Sequence, residues 1–199
     1  MTQDISPHSQ PDPRLTVLNE RRSTPVLALQ TPAPDPEALA QIIAAATRVP
    51  DHGRLTPWRI LEIPSERRES FAAAVQNCHR ASDPDVTDAA LEKDAQRFGN
   101  SPMLLVVISC IHKNHKVPEF EQTLSGACVC FALLQAAQAL GFAGQWLTGW
   151  AAYDAGIARL LGLAENECVL GFMHFGTASQ AVPERARPAL SDIYDRWKA

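Results

Sequence analysis

Residues 124–140 have the sequence LSGACVCFALLQAAQAL, and this stretch contributes most to the fold prediction. It lies within residues 122–153, a run that contains no Asp, Glu, Lys or Arg. A helix of this composition either spans a membrane or is buried on nearly every side. Its glutamines, its weakly apolar alanines and the lack of flanking basic clusters favour the buried helix. Because a chain of 199 residues has difficulty surrounding such a helix alone, the stretch also predicts a second subunit packed against it.

Outward from this helix, apolar patterns predict strands on both sides. Residues 103–109 form a continuous apolar, β-branched run behind Pro102, which is typical of a buried strand. Asp35 and Pro36 are a strong helix start, because Asp caps free N–H groups and Pro at the first helical position loses no hydrogen bond. The other predicted strands are 58–63, 142–147 and 169–176, and further helices are predicted at 15–22, 65–78, 84–98, 119–140 and 153–161. This order indicates an α+β fold in which helices cover a sheet.

The composition of the chain limits its function class. With 46% hydrophobic and 20% charged residues, it suits one globular domain at 14–199, after a proline-containing tail at 1–13 that we expect to be disordered or to clasp another part of the protein. A net charge of −4 argues against a nucleic-acid-binding face. The start of the sequence lacks a secretory signal, and five cysteines without a Cys-x-x-Cys pair indicate thiols in a reducing compartment, so the cytoplasm is expected.

Two short segments carry residues suited to ligand binding. Arg21, Arg22 and Ser23 offer forked donors that match phosphate oxygens, although an exposed basic pair of this kind is common. The loop at 48–59 combines two prolines, a glycine, His52 and Trp58. Arg48 and His52 in this loop can donate to a planar, electron-rich ligand; the alternative is an ordinary surface histidine beside a capping Asp.

Taken in order, these segments resemble the nitroreductase family, and within it the short-chain YdjA-like branch. The resemblance runs from about residue 15 to 177. It comprises Arg-Arg-Ser at 21–23, Pro-Asp-His at 50–52 and Leu-x-Pro-Trp-Arg at 55–59, followed by Asn-His-Lys-Val-Pro at 114–118, Ser-Gly-Ala-Cys at 125–128, the Gly141–Gly149 segment and the Gly171–Thr177 segment. No single motif is specific, but their ordered set is.

The resemblance implies an FMN-dependent enzyme that takes electrons from NADH or NADPH and reduces nitroaromatic, quinone or similar small oxidised organic molecules. It implies a sandwich with a mostly antiparallel central sheet, and a homodimer with flavin sites at the subunit interface. The segment 136–141 corresponds to a stretch assigned to the nicotinamide nucleotide. The residues that the resemblance assigns to the cofactor are Arg21, Arg22 and Ser23 at the phosphate, Arg48 and His52 on the flavin side, and Trp146, Leu147 and Thr148 along the isoalloxazine.

The C-terminal segment adds a further phosphate candidate. Arg185 and Arg187 resemble a basic-x-basic pair that other nitroreductases place against the flavin phosphate, and Arg187 is the stronger candidate of the two. Hydride transfer through a flavin depends on stacking and orientation, so no catalytic acid or base is assigned.

Other functions remain open from the sequence. An FMN-binding module that stores or senses flavin without turnover would need the same phosphate site, and relatives with the same fold that dehalogenate substrates or destroy flavin usually carry extra lid segments. Cys110, His112 and His115 have a zinc-like spacing but no fourth ligand nearby, so no metal is expected. Cys128 and Cys130 lie in the most apolar stretch, which disfavours a reactive thiolate.

Overall fold

In a computed structural model that describes residues 12–197, one mostly antiparallel sheet forms the centre of the chain. Its strands are β1 (Leu29–Gln30), β2 (Trp58–Ile63), β3 (Met103–Cys110), β4 (Ala143–Leu147) and β5 (Glu167–Ala178). The strand order is β1-β5-β3-β2, and β4 also pairs with β5. All of these strand pairs are antiparallel. The predicted α+β architecture is confirmed.

Seven helices accompany the sheet in residues 12–197, and three of them begin at a capping side chain. They are α1 (Thr16–Glu20), α2 (Pro36–Ala46), α3 (Arg68–Ser82), α4 (Asp88–Gly99), α5 (Glu119–Ala139), α6 (Ala155–Leu160) and α7 (Leu190–Ile193). The side chain of Asp35 accepts a hydrogen bond from Ala38 N at 2.8 Å, as the sequence predicts for the start of α2. Thr87 and Asp154 cap α4 and α6 in the same way.

Helices pack against both faces of the sheet. On one face, Leu104, Val106 and Ile108 of β3 contact the apolar sides of α3, α4 and α6. On the other face, Leu105 and Val107 of β3 contact α2 and α5. Because successive strand residues point to opposite faces, a strand covered on both sides must be apolar throughout, which explains the continuous run at 103–109.

Helix α5 is buried on its inner side and open on its outer side. Val129, Leu133 and Ala137 are fully buried against the sheet. Four residues at helical spacing are exposed instead, and we call them the α5 stripe: Phe120, Leu124, Cys128 and Phe131. A single chain therefore leaves an apolar helix face uncovered. Within residues 12–197 no helix meets the length and hydropathy that a membrane crossing requires.

The differences from the predicted elements lie at their ends. Helix α3 begins at Arg68 rather than at residue 65, because a 3₁₀ turn at Ser65–Arg67 precedes it. Between α1 and α2, where the three prolines of residues 24–34 predict an extended segment, the chain contains a 3₁₀ turn at Val26–Ala28. The predicted tail at 1–13 lies outside the described residues except for its last two positions.

Candidate functional site

The segment after α1 is fixed beside the start of β4. Ser23 forms a parallel bridge with Gly144, and Thr24 N donates a hydrogen bond to Gly144 O at 3.0 Å. A Cβ atom at Gly144 would lie 2.7 Å from the ring of Phe175 on the neighbouring strand β5, so the packing of that ring over β4 requires a glycine. Residues 21–24 are thereby held as an extended edge against the sheet.

Arginines from two distant parts of the sequence meet at this edge. Arg21, Arg22 and Ser23 line a cavity of about 50 Å³ together with Arg185 and Arg187 from the segment after β5. We call these five residues the arginine cradle. A second cavity of about 250 Å³ shares Arg21 and Arg22 and extends toward the end of α5. The structure therefore brings together all of the residues that the sequence assigned to a phosphate.

The arginine cradle has the electrostatic character of an anion site. Burial lowers the pKa of Arg21 from its usual value, and the positive charges of Arg187, Arg22 and Arg185 lower it further. Arg21 Nη1 donates to Ser23 Oγ at 3.3 Å, which turns the hydroxyl and the guanidinium toward each other. Four guanidiniums held close together repel one another, so a bound anion with several oxygens would relieve that repulsion.

Arg22 has a structural role in addition to its charge. Its Nη1 donates to Asn19 O at 2.8 Å and to Arg21 O at 2.9 Å, which satisfies carbonyl groups at the end of α1. Its Nη2 forms an ion pair with Glu184. Arg187 also pairs with Glu184, at 3.2 Å. One carboxylate thus lies between two guanidiniums of the cradle.

A further cavity of about 210 Å³ lies on the α4 side of the same edge, and we call it the α4 cavity. Its lining consists of Pro25, Val26, Leu27, Lys93, Gln96, Arg97, Gln145 and Leu147. Its first lining residues, Pro25 to Leu27, follow directly in the chain on the residues that line the cradle. The apolar side chains and the cationic and amide groups together suit a flat ligand with polar edges.

Three residues of α4 in this cavity were missed by the sequence prediction. Lys93, Gln96 and Arg97 are spaced three and four apart and so share one helix face, but this pattern also describes an ordinary solvated surface. Only the position of α4 across the cavity from Val26 and Leu147 distinguishes the two cases. Gln145 was missed as well; its Oε1 accepts a hydrogen bond from Val26 N at 3.0 Å, which ties β4 to the edge.

The predicted segment Trp146–Thr148 borders both faces of the sheet. Trp146 Nε1 donates to Leu170 O at 3.0 Å. A Cβ atom at Gly171 would lie 2.0 Å from Trp146 Nε1, so the indole lies directly over that glycine. Leu147 lines the α4 cavity, and the next residue in the chain, Thr148, is half-buried.

The turn that follows is anchored by a buried carboxylate. Trp150 Nε1 donates to Asp94 Oδ1 at 3.3 Å, and Asp94 Oδ2 lies 2.5 Å from His79 Nδ1. The rings of His79 and Trp150 are stacked with centroids 4.0 Å apart. This contact ties the turn after β4 to α3 and to α4, and α4 supplies three of the residues that line the α4 cavity.

Arg48 and His52 lie on an exposed loop at the other end of α5. His52 Nδ1 lies 2.8 Å from Glu121 Oε2, on the first turn of the helix. The loop is held by Ser125 Oγ, which donates to Pro50 O at 2.8 Å. The carboxylate of Asp51 accepts hydrogen bonds from two backbone N–H groups of the same loop. The loop is thus well defined without any contact to the cradle.

Within one chain, the two groups of predicted site residues are far apart. Glu121 marks the loop end of α5, whereas Gln138 lines the cavity beside the cradle. At 1.5 Å per residue these two positions are about 25 Å apart along the helix. The structure of one chain therefore does not bring Arg48 and His52 together with Arg21 and Ser23.

The metal and cysteine alternatives gain no support from the geometry. Within residues 12–197 no three His, Cys, Asp or Glu side chains are clustered closely enough to hold a metal ion. His115 Nδ1 accepts a hydrogen bond from Val117 N at 3.1 Å. Cys110 Sγ lies 3.2 Å from Glu167 Oε1, and burial raises the pKa of the Cys110 thiol to about 11. Burial also raises the pKa of Cys130, to about 12.

Two relatives are similar over most of the chain. The first is a protein of Escherichia coli K12 called "Putative NAD(P)H nitroreductase YdjA". It is 35% identical over 163 residues, which cover 82% of this chain and 87% of the relative. The second, from Haemophilus influenzae, carries a similar name and is 30% identical over 174 residues, covering 87% of this chain and 92% of its own length.

Solved structures share the fold at lower sequence identity. A nitroreductase-like family protein from Bacillus cereus aligns with a TM-score of 0.79 and 20% identity, covering 96% of this chain and 99% of that one. The FMN and NADPH-dependent nitroreductase NfnB from Sphigopyxis sp. strain HMH aligns with a TM-score of 0.71 and 19% identity, covering 92% and 98%. Residues 18–177 match the sequence model of the Nitroreductase family. The chain belongs to the nitroreductase family.

Proposed function

We propose that this protein is an FMN-dependent oxidoreductase that uses NADH or NADPH to reduce small oxidised organic molecules such as quinones and nitroaromatics. The observation that carries the proposal is the pair of cavities lined by successive parts of one segment, residues 21–23 and residues 25–27. One is a small cavity lined by arginines and a serine, and the other is a larger, mixed cavity of about 210 Å³. A ligand with a phosphate at one end and a flat ring at the other matches this pair.

The arginine cradle would hold the phosphate end. Arg21 and Arg187 offer forked donors, and Ser23 offers a hydroxyl in hydrogen-bond contact with Arg21. Arg22 is committed to the carbonyl groups at the end of α1, so its contribution would be charge and the placement of its neighbours. Arg185 lines the same cavity and adds to its field.

The α4 cavity and the Trp146–Thr148 segment would hold the ring. Lys93 and Arg97 bring positive charge to this cavity, and Gln96 and Gln145 bring amide groups. Positive charge beside the pyrimidine edge of a flavin stabilises its anionic reduced form. When bound, FMN would supply the redox chemistry, accepting a hydride from the nicotinamide nucleotide and passing electrons to the second substrate in a ping-pong sequence.

The residues of this chain would bind and orient rather than exchange protons. No acid–base residue is needed for hydride transfer between stacked rings, because orientation lowers the barrier by itself. Asp94 and His79 contact Trp150 and so hold the turn after β4 in position.

We further infer that the active form is a homodimer. The α5 stripe is an uncovered apolar helix face, and uncovered apolar faces of this kind are typical of subunit interfaces. The distance of about 25 Å along α5 between the two groups of site residues supports the same inference. In a two-fold dimer, Arg48 and His52 of one chain would complete the site formed by the cradle of the other.

We place the protein in the cytoplasm. All five cysteines are free, including the half-buried Cys78 and Cys110, which suits a reducing compartment. We also propose that residues 14–199 form one domain.

The absorption spectrum of the purified protein tests the proposal. We expect flavin bands at about one FMN per chain after incubation with FMN, and loss of the bands from a variant with Arg21→Ala and Arg187→Ala together. Steady-state oxidation of NADH and NADPH with a quinone acceptor then distinguishes an enzyme from a flavin-storing module. A colourless protein that does not bind added FMN would overturn the cofactor. A flavoprotein that neither nucleotide reduces would overturn the oxidoreductase.

A further inference from the structure

We propose that Glu184 is an internal competitor for the phosphate group of the cofactor, and that it sets how strongly the protein prefers FMN to flavin without a phosphate. This inference rests on the proposed function, because it assigns the phosphate to the arginine cradle. It concerns a carboxylate that no part of the proposed flavin site uses.

The carboxylate of Glu184 contacts two cradle arginines at once. It forms ion pairs with Arg22 Nη2 and, at 3.2 Å, with Arg187 Nη2. Its Oε1 also accepts a hydrogen bond from Arg185 N at 2.9 Å, which bends the side chain back toward its own backbone. Glu184 thus pairs with Arg187, whose guanidinium would bind the phosphate, and with Arg22, whose charge would attract it.

The exposure of these side chains shows which partner is able to move. The side chain of Arg22 is 21% exposed, whereas that of Glu184 is 56% exposed. Arg22 is also held by carbonyl groups at the end of α1. The carboxylate can therefore rotate into solvent while Arg22 stays in place; Arg187, whose side chain is also exposed, can turn from the carboxylate to a phosphate.

The charges favour displacement by a phosphate. A phosphate monoester carries up to two negative charges and three acceptor oxygens, whereas Glu184 supplies one charge and two oxygens. The positive charges of three other arginines lower the pKa of Arg21 even with Glu184 in place. The cradle therefore retains an excess of positive charge for an incoming dianion.

Displacement of Glu184 has a free-energy cost that only an anionic ligand incurs. Riboflavin has the same ring and ribityl chain but no phosphate, so it can bind without breaking the Glu184 ion pairs. Glu184 should therefore weaken FMN binding and leave riboflavin binding unchanged. The opposite role, in which Glu184 orients Arg22 and Arg187 for the phosphate, predicts weaker FMN binding when Glu184 is removed.

The experiment compares Glu184→Gln with Glu165→Gln in the full chain. Glu165 is exposed and lies just before the first residue of β5, whereas the cradle arginines Arg185 and Arg187 follow the last residue of that strand. Glu165→Gln therefore makes the same charge change away from the cradle. Dissociation constants for FMN and riboflavin would be measured by flavin fluorescence quenching at low salt. Thermal melting of each variant without flavin would check that the fold is retained.

We expect Glu184→Gln to tighten FMN binding by about fivefold, the size expected for exposed ion pairs, with riboflavin binding unchanged. Glu165→Gln should change neither constant. Equal FMN affinity in wild type and Glu184→Gln, weaker FMN binding, or an equal gain for riboflavin would overturn the inference. A wild-type protein that binds neither flavin would instead overturn the proposed function, so the two failures are distinguishable.

Discussion

Replacement of Phe131 by glutamate tests the proposed dimer most directly. Phe131 lies in the α5 stripe and is 46% exposed in one chain. Full burial of such a side chain contributes about 1.5–3 kcal/mol, so covering its exposed part is worth about 1 kcal/mol. A two-fold interface contains the contact twice, which makes about 2 kcal/mol per dimer.

The glutamate adds a penalty of its own. Two carboxylates placed in an apolar interface without partners lose hydration worth at least about 2 kcal/mol together. The sum of about 4 kcal/mol corresponds to a dimer that dissociates about a thousandfold more readily. We therefore expect Phe131→Glu to be monomeric at concentrations where the wild type is dimeric.

The assay is sedimentation velocity over a wide range of protein concentration, followed by FMN titration of the same samples. Leu160→Glu is the matched control, because Leu160 is 39% exposed on α6, on the opposite face of the sheet. The control should remain dimeric. The variant should lose both the dimer and most of its FMN affinity, since Arg48 and His52 would no longer reach a cradle. A dimer that survives Phe131→Glu, or a monomer that still binds FMN as tightly as the wild type, would refute the reasoning.

Three further predictions concern single contacts. Arg21→Ala should weaken FMN binding by about 10- to 100-fold, the range for a lost charge-assisted hydrogen bond, and leave riboflavin unaffected; an equal loss for both flavins in a titration would contradict it. Arg59 holds the pKa of Glu167 at about 2, below its usual 4.5, through hydrogen bonds of 2.7 and 2.9 Å. Because the pKa of Glu167 is lower in the folded chain, this stabilisation is present above pH 4.5 and is lost as the pH falls toward 2. It should amount to about 1 kcal/mol, since the pair is partly exposed. Melting curves of Glu167→Gln measured between about pH 5 and pH 2 should lack that part of the acid destabilisation. Gly171→Ala should lower the free energy of unfolding by about 2–3 kcal/mol, because the new Cβ displaces the Trp146 indole and its hydrogen bond. In denaturant unfolding, the same substitution should cost less when it is made in the Trp146→Ala variant than when it is made in the wild type.

The sequence predicts elements well where the signal is local. The bounds of β2, Trp58–Ile63, agree with the prediction residue by residue because Pro57 and Pro64 flank the strand. The start of α2 follows from Asp35 and Pro36 in the same way. Capping and proline effects act over a few residues, so no knowledge of the remaining chain is needed.

The order of the strands was not accessible from the same signals. Strand β5 is the last in the chain, yet it pairs with β1, β3 and β4. Which strands pair depends on contacts between residues far apart in sequence, and an apolar run does not specify its neighbours. The α4 cavity was missed for the same reason, since Lys93 and Arg97 belong to it only because the fold places α4 across from Val26 and Leu147.

The uncharged run at 122–153 and the separated site residues have a common explanation in the proposed dimer. The inner side of α5 lacks charge because the sheet covers it, and the α5 stripe on its outer side would lack charge because a second chain covers it. An α5 packed against its counterpart in antiparallel orientation would bring the loop end of one helix near the cradle end of the other. The distance of about 25 Å that separates Arg48 and His52 from the cradle within one chain would then be bridged by symmetry. The sequence contains both signals, and the exposed positions along α5 mark the face that a second chain would cover.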